Sequence, residues 1–125
     1  MKVEISNGDL VDKVSILWIK LQRLSDQSKL ANVKREHDLL SAAMGRLGIR
    51  ADSADYLELV QVNQSLWDTE NRIRAKEAAR QFDEEFIQLA RSVYVSNDRR
   101  AAIKRRINEA SASALVEEKE YHRYT

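Results

Sequence analysis

The residues whose types and spacing best suit chemistry are Glu70, Arg74 and Glu77, followed by Arg91, Tyr94, Asn97 and Arg100. Steps of three and four put each group on one side of a helix. An antiparallel hairpin turning near residue 81 brings Arg91 opposite residue 71. It brings Asn97 and Arg100 opposite 62–65, where Asn63 and Gln64 lie. One side of the hairpin then holds a polar layer inside an apolar sandwich. Arg100 sharpens the point, because it falls in phase with the stripe Phe82, Phe86, Leu89, Val93, Ser96, Ile103 and Ile107. A guanidinium removed from water is very costly without a partner. Two chemistries fit the layer. One is a structural ion-pair network that fixes helix register, with Glu70 the expected partner of Arg100. The other is a pocket whose arginines donate to a small anion.

The remaining clusters carry less. Asp83-Glu84-Glu85 and Glu117-Glu118 are consecutive acids that point different ways, which suits caps and solvated faces better than a magnesium site. Residues 99–106 hold Arg99, Arg100, Lys104, Arg105 and Arg106, but no aromatic lies among them to stack on bases. With a net charge of +1, a solvated helix end is expected there, and nucleic-acid binding through this run is the weaker alternative. His37 falls on an apolar stripe and reads as a core or boundary histidine with one hydrogen-bond partner. There is no Walker loop, GxGxxG, HExxH, GxSxG or EF-hand loop, and no Cys. No cofactor and no metal is expected. The start MKVEISNGDL has no signal-peptide core, and no apolar run reaches the length of a membrane span, so a cytoplasmic protein without membrane contact is expected.

The elements that must position these residues are helices. The chain has no Pro and 3 Gly among 125 residues, and abundant Ala, Leu, Glu, Lys and Arg. Ser6-Asn7-Gly8-Asp9 matches a capping box with Asp in place of Glu, and a first helix over about 7–25 follows, striped by Leu10, Val14, Leu17, Leu21 and Leu24. Ser25–Ser28 is a polar connection to a second helix over 28–46, ended by Gly45 and Gly48. Asp52 or Ser53 caps a third over 54–80, and Asp83 caps a fourth over 83–112. The heptad phase survives Ser96-Asn97-Asp98, which argues for one continuous helix rather than two. The pattern therefore predicts a single all-α domain over 1–125: an antiparallel bundle of about four helices, one long C-terminal helix and short extended termini. MKVEI alternates as a short strand would, and Leu115-Val116 is placed to dock or pair with it. Ile103 and Ile107 continue the long stripe past what the second helix covers, and this coiled-coil-like overhang predicts a homodimer.

Five segments, VEISNGDLVDKVSILWIKLQRL, KLANVKREHDLL, LWDTENRIRAKE, DEEFIQLARSVYVSNDRRAAIKRRIN and ALVEEKEY, resemble an uncharacterised family of small bacterial and phage proteins. The likeness covers nearly the whole chain. Its strongest motifs are SNGDLVDK, the helical IR..E, FIQLARSVY.SNDRRA and the terminal EEK.Y. Trp18-Ile19 stands where the resemblance leads one to expect Glu-Ile, which removes a carboxylate from that helix face. The resemblance implies a compact domain with a shared polar layer. It supplies no activity, and its one functional implication is a role near cell-surface sugar transfer. The expected function is a non-enzymatic helical binding or adaptor protein serving polysaccharide assembly, with a protein partner. The alternative is an enzyme or binder for a small anionic metabolite in the arginine-rich layer, as all-α chorismate mutases do by analogy of fold alone.

Overall fold

The computed structural model describes residues 1–118 and is all-helical. Its four helices are α1 (Asn7–Arg23), α2 (Gln27–Arg46), α3 (Ala54–Ala78) and α4 (Glu84–Ala110). Each begins at a side-chain cap that satisfies amides left free by the first turn. Ser6 accepts from the Asp9 amide, Asp26 from the Ser28 and Lys29 amides, Ser53 from the Tyr56 amide and Asp83 from the Phe86 amide. The ends of α2, α3 and α4 close in the same way. The left-handed residue is Gly48 (φ 78°), Arg80 (φ 54°) and Ala112 (φ 52°) in turn, and the next amide reaches back to the Met44, Lys76 or Asn108 carbonyl. Helix α4 runs unbroken through Ser96-Asn97-Asp98.

Helix α1 is the hub. It packs against α2, α3 and α4, while α3 and α4 pack on each other and α2 touches only α1. The core gathers Leu10, Val11 and Val14 of α1, Met44 of α2, Tyr56, Leu59 and Val62 of α3, and Ile103 and Ile107 of α4. The expected uncovered stripe at Ile103 and Ile107 is therefore corrected. They are 0% and 3% exposed, because α1 rather than α2 covers that end of α4. The overhang lies at the other end. Arg23, the last residue of α1, pairs with Asp68 of α3, so the rest of α3 and the facing part of α4 project beyond it as a two-helix arm. From Leu66 to Ala102 the arm contains no buried residue. Its tip is held by Lys76 to Asp83 (2.7 Å), Lys76 to Glu85 (3.3 Å), Arg72 to Glu85, and edge-on rings of Phe82 and Phe86.

The termini differ from expectation. Residues 1–5 form no strand, and Leu115 and Val116 are exposed rather than paired with them. No strand among the described residues offers a ladder partner, so the alternation in MKVEI has no sheet to serve. The tail instead returns along α4 through Glu117 to Lys104 (3.0 Å) and Glu118 to Arg105 (3.0 Å). The Lys119 and Tyr121 positions of the EEK.Y motif lie outside the described residues.

Gly8 fixes how close α1 comes to α4. A Cβ there would stand 2.5 Å from the Lys104 carbonyl oxygen and 3.0 Å from Asn108 Oδ1. Gly8→Ala is expected to destabilise the fold by about 1–3 kcal/mol, as overpacking against backbone does. Chemical denaturation checks it: an unchanged midpoint would mean that the two helices are not held this close.

Candidate functional site

The SNGDLVDK motif is read by α4 one turn at a time. Asn7 Nδ2 donates to Ser111 Oγ (2.9 Å), and the Asn7 amide donates to Ser113 Oγ (3.0 Å). The Gly8 amide donates to Asn108 Oδ1 (2.7 Å), Lys104 pairs with Asp9 (2.8 Å), and Arg100 reaches Asp12. Asp12, Asp9 and Gly8 of α1 thus meet Arg100, Lys104 and Asn108, spaced four apart on an antiparallel α4. Burial pushes the Asp9 carboxyl up, but the hydrogen bond and charge of Lys104, with Ser6 and Arg100, outweigh it and hold the group below its ordinary 3.8. For Lys104, burial pushes down, and Asp9 and Glu117 outweigh it to raise the ammonium above 10.5.

Arg100 and Asp12 form the innermost rung. The guanidinium donates through Nε to Oδ1 (2.9 Å) and through Nη2 to Oδ2 (2.5 Å), a two-toothed pairing. Asp12 is 4% exposed. Asn63 Nδ2 adds a third donor to Oδ1 (2.9 Å) and also donates to Ser15 Oγ (2.9 Å), while Ser15 donates to the Asp12 carbonyl (2.6 Å). Among the described residues no buried side-chain nitrogen or oxygen lacks a partner. The hydrogen bond to Asp12 outweighs burial and raises the Arg100 pKa above its ordinary value.

A recess opens on each side of this joint. The first, about 340 Å³, is lined by Asp9, Lys13, Lys20 and Glu36 among others. The second, about 320 Å³, lies between α1, α3 and α4, with Ile16, Ile19, Leu66, Trp67 and Val93 as apolar walls and Asn63, Glu70, Asn97 and Arg100 as polar groups. A volume and lining of this kind suit a small molecule that is largely apolar on one side. Asn97 and Trp67 line it, and neither side chain has a hydrogen-bond partner among the described residues. Arg23 lies over the Trp67 ring, 5.8 Å from its centre.

Of the seven residues singled out first in the sequence, Glu70, Asn97 and Arg100 meet in this cleft. Glu70 is not the partner of Arg100. It pairs weakly with Arg74 (3.8 Å), and Asp12 takes the guanidinium because α1 packs against both hairpin helices and brings its carboxylate to that level. Arg74, Arg91 and Tyr94 are exposed on outer faces, so the arginine-rich layer is not assembled. In the basic run, Arg100, Lys104, Arg105 and Arg106 all carry carboxylate partners, leaving Arg99 with Gln61. Sequence reasoning missed Asp12, Ser15 and Trp67, whereas Asn63, set opposite Asn97 and Arg100 by the hairpin, lines the cleft with them. Among the described residues no group of three or more His, Asp or Glu is arranged to hold a metal ion. No helix among them is long and apolar enough to cross a membrane.

Residues 1–124 match the family of unknown function DUF6165, and the chain belongs to that family. No curated protein and no solved structure matches it.

Two outcomes follow from the charges. Arg100→Met strands the Asp12 carboxylate in the interior and is expected to cost about 3–5 kcal/mol, read from the denaturation midpoint; a loss near that of a surface substitution would contradict it. Asp9 stabilises fully above its unfolded value of 3.8, and that contribution is lost as pH falls through its lowered folded value. Asp9→Asn should therefore flatten the acid limb of the stability curve and leave its neutral shape alone. An acid limb of unchanged slope would count against the Asp9–Lys104 pair.

Proposed function

We propose that this protein is a non-enzymatic, cytoplasmic helical binding protein, acting as a homodimer, whose small-molecule site is the cleft between α1, α3 and α4. The observation that carries the reading is a tryptophan-walled cleft of about 320 Å³ whose lining includes an uncommitted amide, Asn97, beside a neutralised arginine. The charges around it come in pairs: Arg23 with Asp68, Arg74 with Glu70, and Arg100 with Asp12. A small anion would have to compete with Asp12 for Arg100 and would meet Glu70, so the ligand class is neutral. It has one flat apolar side for Trp67 and hydroxyl or amide groups for Asn97, Glu70 and the indole N–H. Neutral sugar units have this chemistry, which accords with the role beside cell-surface polysaccharide assembly that the resemblance implies. Nothing in the cleft pairs a nucleophile with a base, which favours binding over catalysis.

A thermal-shift screen tests the reading. At ten times its dissociation constant, a ligand of the native state adds about 1.4 kcal/mol, roughly 5 °C in the midpoint of a chain this size. Neutral monosaccharides and small amides are expected to include such ligands, phosphate and sulfate are not, and the shift should disappear in Trp67→Leu and in Asn97→Ala. Stabilisation by the anions alone, or by none of the neutral compounds, would overturn the assignment.

A further inference from the structure

The outer face of α4 along the arm carries a pattern that reads the same from both ends. Tyr94 and Val95 sit at its centre, 44% and 51% exposed. Three residues out on either side are Arg91 and Asp98, both exposed, and neither has a partner among the described residues. The next turn outward gives Ile87, 42% exposed, on one side and exposed Ala102 on the other. Beyond them stand Glu84 and Arg105, again of opposite sign, which bond within the chain to Gln88 and to Glu109 and Glu118. At 100° per residue all eight fall within a band about a third of the helix circumference wide.

We infer that this face is the contact between two copies of the chain, packed with the two α4 helices antiparallel and the two-fold axis passing between Tyr94 and Val95. In that arrangement each residue lies level with the one equally far from the axis on the other copy. Tyr94 meets the partner's Val95, Ile87 meets the partner's Ala102, Arg91 meets the partner's Asp98, and Glu84 meets the partner's Arg105. Every apolar position then faces an apolar one, and every charge faces its opposite. A two-fold contact uses the same patch on both copies, so a patch that joins them must be complementary to its own reversal. A face shaped for an unrelated protein has no reason to be. The site rests on the homodimer of the proposed function but not on the cleft, whose lining shares none of these residues.

Charge reversal tests both the surface and its direction. Arg91 and Asp98 are seven residues apart on one helix, about 10 Å along the axis, too far to pair within a chain. Wild type is expected to sediment at twice 14.4 kDa at micromolar concentrations. Arg91→Glu or Asp98→Arg alone turns two attractive contacts per dimer into repulsive ones and should weaken association roughly tenfold. The two together should restore it, and Val95→Glu should leave a monomer with an unchanged helical spectrum. A wild-type monomer would overturn both the homodimer and this surface. A dimer that survives Val95→Glu and both single reversals, or reversals that weaken association without rescue in the double variant, would overturn the surface while leaving the homodimer standing.

Discussion

The pairing of Arg100 with Asp12 is the constraint on which the rest of the structure depends. It joins residues 88 apart in sequence and sets the level at which α1 lies against α4. Once that level is set, Asp9 meets Lys104 one turn away and Gly8 meets Asn108 another turn on, where only a hydrogen atom in place of a side chain fits. A slip by one turn would leave a buried carboxylate without its donors, a cost far above that of moving an apolar side chain. The apolar core is tolerant of position and the ion pair is not. Hydrophobic burial therefore supplies the compactness, and the polar rungs supply the register.

Placing α1 at the centre also explains where the protein is thick and where it is thin. Helix α1 ends at Arg23, beside Asp68 and Trp67, and α3 and α4 continue without it. The cleft forms at that step, roofed by the last turns of α1 and walled by the hairpin. Past it the hairpin has only itself to pack against, so its apolar stripe is half covered. The chain divides its chemistry accordingly. The end near α4's C-terminus is closed by polar rungs, the step holds an uncommitted amide beside an indole, and the outer arm presents an apolar centre between opposite charges.

Local signals made the helices legible. Ser6, Ser53 and Asp83 cap where their side-chain chemistry leads one to expect, and the phase through Ser96-Asn97-Asp98 predicts the continuity of α4. The absence of proline and the single left-handed glycine, Gly48, agree with long helices and few sharp breaks. Pairing was less legible. Periodicity says which face of a helix is apolar but not which helix that face meets. With only α3 and α4 in view, Glu70 was the natural partner of Arg100, and the third helix packed against both was invisible. The same ambiguity put the overhang at Ile103 and Ile107, which α1 covers, rather than on the arm. Asp12 was hidden because a carboxylate beside an apolar stripe looks like solvated edge. Its meaning appears only beside Asp9 on one helix and Arg100, Lys104 and Asn108 on another, a match of spacings across nearly the whole chain.

The register of α1 on α4 depends on Arg100 and Asp12 acting as one unit. A double-mutant cycle on stability measures this directly, with Asp12→Asn, Arg100→Met and the two combined, each unfolded in urea at neutral pH. The structure predicts strong coupling, with the double variant more stable than the sum of the single losses by about 2 kcal/mol, because removing both charges leaves neither stranded. Single losses that add to within about 0.5 kcal/mol would contradict it. They would mean that the two side chains do not hold α1 to α4.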